Sequence, residues 1–251
     1  MTYSLGTAIA RLKRDDTPFS RALRKVYAVV WTGSVPIPGF VEPVGRMIYD
    51  FRWSFIQVWR RLKSLLYLQP IFSCRCESAG KRLQLATMPS VRGHTLLYIG
   101  DNVRVGRNFT ISSGRFWDRP TLRIGNRVSI GFNVTITCNR EITIEDDVLI
   151  AGNCRIADYD GHPSSMEKRI SGSAPDPADI QPVRICKGAW IGYGVVVLKG
   201  VTVGEGGIVG ANSVVTHDVP PHCVVAGSPA RVVSQNEVPI SQSSTKTLSE
   251  P

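Results

Sequence analysis

Residues 183–215 read VRICKGAWIGYGVVVLKGVTVGEGGIVGANSVV. Within this stretch Ile185, Ile191, Val197, Val203, Val209 and Val215 recur every six residues. Towards the N-terminus the same spacing returns in Ile144, Ile150 and Ile156, in Ile124, Ile130 and Ile136, and in Ile99, Val105 and Ile111. All fifteen positions are Ile or Val. The following residue is often glycine, as at Gly100, Gly106, Gly125, Gly131, Gly192, Gly204 and Gly210. Four residues after the anchor a small or branched side chain often returns, as at Val103, Val128, Val134, Val148, Ala189, Val195, Val201 and Ser213.

A period of six matches neither the period of about 3.6 of a helix nor the unbroken alternation of an amphipathic strand. It fits short strands, each with one inward anchor, joined by tight turns where glycine admits a backbone that a Cβ would obstruct. Three such strands per turn make a triangular parallel solenoid, and β-branched anchors suit its extended backbone. Fifteen anchors at three per coil predict about five coils, which must stack because a single coil cannot bury its own anchors.

The rest of the composition narrows the class. Of 251 residues, 43% are hydrophobic and 20% charged, which excludes a wholly disordered chain, a collagen-like chain and a disulfide miniprotein. The net charge of +10 is not evenly spread: residues 1–100 hold fifteen Lys/Arg against five Asp/Glu, whereas residues 101–251 hold fifteen of each. Six cysteines, Cys74, Cys76, Cys138, Cys154, Cys186 and Cys223, show no zinc-site spacing and read as reduced thiols of a cytosolic protein. Met1–Ala10 has no basic n-region ahead of it, so no signal peptide is expected, and the apolar stretch Val26–Val41 is broken by Gly33, Pro36, Pro38 and Gly39 before it could span a bilayer.

Residues 1–92 are expected to form a basic, partly helical N-terminal region. Met47, Ile48, Phe51, Phe55, Val58, Trp59, Leu62, Leu65 and Leu66 recur at spacings of three and four, on one face of a helix from about Gly45 to Gln69 that Pro70 should stop. Arg52, Arg60, Arg61 and Lys63 flank that stripe. Such a face either packs on the protein's own core or a neighbouring subunit, or makes peripheral contact with an anionic membrane through residues 1–70. No nucleic-acid-binding module follows, so nucleic acid is not an expected partner. The Ser/Gln/Thr-rich tail, 234–251, is expected to be disordered.

The hexads stop at Ile156 and resume at Ile185, leaving a loop, 157–182, that begins around DYDGHPSSMEKRI (158–170). Downstream the chain reads GAWIGYGVVVLKGVTVGEGGIVGANSVVTHDVPPHCVVAGSPARVV (188–233). These segments together resemble the hexapeptide-repeat acyltransferases. They are most similar to the acetyltransferase branch that includes maltose and galactoside O-acetyltransferases and the sugar O-acetyltransferases of surface-polysaccharide biosynthesis. The resemblance covers about half of the chain and implies an all-β, left-handed parallel β-helix over 93–233. It implies an acetyl-CoA-dependent transfer of acetyl to a sugar hydroxyl, in a cytoplasmic homotrimer with a sugar or lipid-linked glycan as acceptor. A small xenobiotic hydroxyl or an amino sugar is the alternative acceptor within the family, and a non-catalytic β-helix scaffold is the alternative outside it.

Acetyl transfer from a thioester to a hydroxyl needs a base, and histidine suits that role near neutral pH. The resemblance assigns it to His162. Asp158 or Asp160, four and two residues earlier, could orient the imidazole as a supporting carboxylate, with Asp158 preferred. The other histidines, His94, His217 and His222, do not form a zinc set, so no metal is expected. The resemblance further implies that Trp190 and Tyr193 line the groove near the thioester, that Ala211 and Thr216 contact the pantetheine arm, and that Arg231 approaches the adenosine phosphate. Two positions depart from the family pattern. Relatives often carry an acceptor-binding Asn where Gly131 stands, which leaves Asn133 or Asn139 as substitutes. A second basic residue after the PAR segment is Ser234 here, which shifts phosphate binding towards Arg231, or towards Lys199 and His217.

Overall fold

The computed structural model describes residues 17–22, 25–26, 41–114, 117–174 and 176–235. The chain divides into two compact units, Met1–Gln57 and Val58–Pro251. The second holds a prism of three parallel sheets, of six, eight and six strands, built by a chain that visits each sheet in turn.

The hexad anchors stack in register. On the first sheet Ala79, Ile99, Ile124, Ile144, Ile185, Val203 and Val219 lie one above another. The second sheet stacks Leu85, Val105, Ile130, Ile150, Ile191, Val209 and Val225. The third stacks Val91, Ile111, Ile136, Ile156, Val197 and Val215. Each of the fifteen predicted anchors is no more than 5% exposed. Backbone bonds run from coil to coil, as from Gly106 N–H to the Ile130 carbonyl at 2.8 Å and from Gly131 N–H to the Ile150 carbonyl at 2.8 Å.

The solenoid has six full coils, one more than the fifteen anchors require, because it starts at Ser78 rather than at residue 93. The anchors of the extra coil are Ala79, Leu85 and Val91, also six apart. Two of them are not β-branched, so the Ile/Val signature does not reach back to them. At the other end Ser234 and Gln235, placed in the tail from sequence, extend a final strand, Ala230–Gln235, antiparallel to Cys223–Gly227. Residues 236–251, the rest of the expected tail, lie outside the described residues, as do most of residues 1–40.

The glycines after the anchors serve a different purpose from the one their positions suggest. Gly106 does not adopt the left-handed backbone; a Cβ there would lie 2.5 Å from the backbone of Gly131 in the next coil. The left-handed positions fall two residues later, on asparagines such as Asn102 (φ 59°), Asn108 (φ 57°) and Asn133 (φ 54°), which tolerate that region better than most side chains.

The segment that precedes the first coil is helical. Helix α1 (Glu42–Lys63) passes into a π-helical turn, Ser64–Leu68, and then a short helix α2 (Gln69–Ser73). Pro70 therefore does not end the helix. Gln69 N–H bonds to the Ser64 carbonyl, five residues back, and this wider turn gives the proline ring room inside a helical path. Leu68 and Phe72 join the core, and the Ser64 hydroxyl accepts from Leu85 N–H at 3.0 Å, covering the open edge of the first coil.

Ile136 is fully buried between Ile111 and Ile156. Replacing it with Ala should cost about 2–5 kcal/mol in urea unfolding. A loss below about 1 kcal/mol would contradict a stacked core at this position.

Candidate active site

The interruption between Ile156 and Ile185 is an arm that leaves the prism where the third sheet turns back to the first. Its neck is closed by Gln181 N–H donating to the Asp158 carbonyl at 2.9 Å, and Gly200 N–H donates to the Gln181 carbonyl at 3.0 Å. Tyr159 and Ile180 are buried at its root. Beyond the root the arm carries a one-turn helix α3 (Met166–Ile170), capped by the Ser165 hydroxyl, and a 3-10 turn, Pro177–Asp179, capped by the Asp176 carboxylate. The Arg169 guanidinium donates to the carbonyls of Pro163 (3.0 Å) and Ser164 (2.5 Å), which fastens the His-Pro turn to α3.

His162 stands at the start of that turn, exposed, directly after Gly161, whose φ of 98° is a backbone conformation that favours glycine. Neither carboxylate expected to orient it is bonded to the imidazole. Asp158 is fully buried and turned inward. Its carboxylate accepts from the backbone N–H groups of Asn139 (2.8 Å), Arg140 (2.7 Å) and Glu141 (3.0 Å). Burial pushes its pKa up, and these three donors pull back against that rise. Asp158 therefore ties the arm's root to the corner one coil below. Asp160 is paired with Lys199 on the corner one coil above, Oδ2 to Nζ at 2.6 Å. That ion pair also engages the lysine that was a candidate for phosphate binding. Between them, Tyr159 has a buried hydroxyl with no hydrogen-bond partner among the described residues. Burial, then the Asp179 and Asp160 carboxylates, push its pKa up.

The two asparagines offered as acceptor ligands are held by the scaffold. Asn133 belongs to a ladder on the edge between the second and third sheets: it accepts from Asn108 at 2.9 Å and donates to Asn153 at 3.0 Å. Asn139 is buried and its side-chain oxygen accepts from Gly114 N–H at 2.6 Å. Gly131 cannot carry the missing Asn, because a Cβ there would lie 2.6 Å from the backbone of Ala151 and Gly152.

The remaining candidates fall into two groups. Trp190 projects half-exposed from the second sheet, in register with Leu149, and Tyr193 follows on the edge between the second and third sheets. The Tyr193 ring lies 6.2 Å from that of Phe132, and its hydroxyl is bonded by the Asn153 amide. Ala211 lies exposed one coil further along the same edge. Phe132 and Leu149 extend this apolar surface and were not singled out from sequence, although Leu149 precedes anchor Ile150 as Trp190 precedes Ile191. The second group sits beyond the arm, on its own edge. There the Thr216 hydroxyl meets His217 Nδ1 at 2.8 Å, and His217 and Arg231 line a cleft of about 320 Å³ with Val219 and Val232. Arg231 is exposed, and among the described residues its guanidinium reaches its neighbour's carbonyl, that of Ala230. A larger cleft of about 650 Å³, on the outside of the first sheet beside Tyr98 and Arg123, contains none of these residues. One chain thus does not bring the Trp190–Tyr193 surface to His162.

All six cysteines are free. Burial pushes the Cys76 thiol up to about 11 and raises Cys138, Cys154 and Cys186 as well, so these thiols stay protonated near neutral pH and are poor nucleophiles. Among the described residues no group of three or more His, Cys, Asp or Glu is placed to hold a metal ion.

No protein-family model matches the chain. It is 36% identical over 136 residues to galactoside O-acetyltransferase of Escherichia coli, a match that takes in 54% of this chain and 55% of that protein. The chain thus spans little more than half the length of this curated relative. It is 32% identical over 142 residues to WbbJ of Escherichia coli, named as an O-acetyl transferase of lipopolysaccharide biosynthesis, covering 53% of this chain and 72% of that one. Among solved structures, AntD, an N-acyltransferase from Bacillus cereus seen with dTDP-4-amino-4,6-dideoxyglucose and coenzyme A, superposes with a TM-score of 0.52. That likeness, at 18% identity over 68% of this chain and 89% of AntD, speaks for the fold.

Substitutions at both ends of the arm's root test how it is held. Asp158→Ala leaves one buried and two part-buried N–H groups without their acceptor and should lower stability by roughly 2–3 kcal/mol in urea unfolding; an unchanged midpoint would contradict the anchoring role. Lys199→Met and Asp160→Asn should each speed protease cleavage within residues 164–176, and the double variant should add little to either single one. Unchanged cleavage in the singles would show that this ion pair does not restrain the arm.

Proposed function

Because the chain belongs to the hexapeptide-repeat acetyltransferases, whose fold is the left-handed parallel β-helix, we propose that it transfers acetyl from acetyl-CoA to a sugar hydroxyl. The observation that carries this reading is His162: an exposed imidazole on the one arm that interrupts the regular coils, with the arm's root anchored from the coil below and the coil above.

His162 takes the proton from the acceptor hydroxyl as its oxygen attacks the thioester carbonyl. The C–S bond then breaks, acetyl stays on the sugar oxygen, and the thiolate leaves as coenzyme A with the proton returned from the imidazolium. A thioester is already activated, so no acyl-enzyme is needed, and the raised thiol pKa values fit its absence. A backbone N–H serves the tetrahedral oxyanion. With no carboxylate among the described residues bonded to it, the imidazole relies on the backbone of the Gly161–Pro163 turn, and on substrate, for its orientation.

The groove is shared between chains. Trp190, Tyr193 and Ala211 lie on one edge or face of the prism and the His162 arm on another, so a complete site needs the arm of one subunit beside the aromatic edge of the next. Such a contact between unlike surfaces closes a ring, and a homotrimer suits a three-sided prism. Thr216 and Arg231 provide for the pantetheine and the adenosine phosphate. His217 stands beside them for the same phosphate. The acceptor is a building block of a surface or exported polysaccharide, nucleotide-linked or lipid-linked, met by a cytoplasmic enzyme at the inner face of the membrane. No described helix is long and apolar enough to cross a membrane.

Incubation with acetyl-CoA and a panel of nucleotide-linked and lipid-linked sugars, amino sugars included, should yield one product heavier by an acetyl group; no transfer to any hydroxyl would end this reading. His162→Ala should lose about 10²–10⁴-fold in turnover. Mixed trimers of His162→Ala and Trp190→Ala chains should regain activity above either parent, because some sites then combine two intact halves. Mixtures that never exceed their parents would place the whole site within one chain.

A further inference from the structure

The arm and the coils leave one large feature unused. Helix α1 has 22 residues and none of them is buried. Its length of about 33 Å, at 1.5 Å per residue, carries Met47, Phe51, Phe55, Val58, Trp59 and Leu62 within about 120° of the helix circumference at 100° per residue. These are bulky groups in water: Phe51 is 72% exposed, Phe55 58% and Trp59 60%. The stripe does not run on into the buried face of the helical segment that follows it. Where the helical segment meets the first coil, Ser64, Leu68 and Phe72 are the residues buried, while Leu65 and Leu66 remain 51% and 73% exposed.

Charge selects the occupant. Arg46, Arg52, Arg60, Arg61 and Lys63 stand against Glu42 and Asp50, a net +3 on the helix. At 100° per residue Arg52 and Lys63 fall along one margin of the stripe and Arg61 along the other. Two copies pressed stripe to stripe would bring these cations together. An anionic lipid surface instead neutralises them while the apolar groups enter the acyl boundary, and long Arg and Lys stems reach back from that depth to the headgroups. We infer that α1 lies in the surface of an anionic lipid bilayer and binds it through the Met47–Leu62 stripe and its basic margins. The inference rests on the reading above for its biological sense, since it names the surface at which a lipid-linked acceptor would be met, but its geometry is independent of the catalytic arm.

The full chain should co-sediment with vesicles of phosphatidylcholine and phosphatidylglycerol, far less with phosphatidylcholine alone, and less as salt rises. Phe51→Asp with Trp59→Asp should cut binding at least about tenfold with an unchanged unfolding midpoint, because both side chains are exposed. Arg52→Glu with Arg61→Glu should remove the preference for anionic vesicles. Three results would overturn the inference: no binding to the anionic vesicles, binding that survives the Phe51/Trp59 variant, or a smaller assembly mass for that variant in vesicle-free sedimentation, which would assign the stripe to a second copy. Acetyl transfer to a water-soluble acceptor, measured on the same samples, separates the two readings. Transfer without vesicle binding ends the membrane inference and leaves the enzyme, and binding with no transfer to any sugar of the panel above does the reverse.

Discussion

One β-branched side chain per face, resting on its counterpart a coil below, sets the geometry of the solenoid unit. The anchors are closely spaced along the chain but contact one another only across coils, so none is buried until a neighbouring coil is in place. The same contact forces the backbones together. A Cβ at Gly106 or Gly131 would enter the next coil, which is why a small residue so often follows the anchor. It also limits where the chain can change. A residue inserted within a strand would shift every anchor after it, whereas one inserted at a corner leaves the register intact. The arm after Ala157 obeys this rule, for Ile144 still pairs with Ile185 although the arm lies between them in the chain.

Corners are therefore where chemistry can be placed, and the three edges of the prism are used unequally. The edge between the second and third sheets carries an asparagine ladder and the Phe132–Tyr193 aromatic pair. The edge between the third and first sheets carries the arm and, in successive coils beyond it, Lys199 and the Thr216–His217 pair. A rigid prism cannot fold one edge onto another. In the proposed assembly a neighbouring copy would bring its imidazole to the aromatic surface, and the rigidity of each prism is the reason one chain would need another.

Several particular residues mark the limit of sequence reading. The coil at Ser78–Arg92 follows the same period as the others but anchors itself with Ala79 and Leu85, so a search for Ile and Val passes over it. Pro70 is an ordinary helix stop until a π-turn opens the path around its ring. Asp158, Asn133 and Asn139 have the chemistry of site residues, and their sequence positions near His162 or Gly131 invited that assignment. Their polar atoms are instead used in holding corners together. Lys199 follows a strand like any surface lysine, and only the returning arm supplies Asp160 as its partner.

The sequence by itself determined the repeat, the triangular coil, the place of the arm and the family, because each of these is a property of spacing along one dimension. Only the tertiary structure decided which carboxylate anchors and which pairs, which asparagines are committed, and that the two halves of the candidate site face different ways. Those outcomes depend on partners that lie about twenty or more residues away and meet only when coils stack. A period says where a side chain sits on its own coil. The coil above or below determines what that side chain touches.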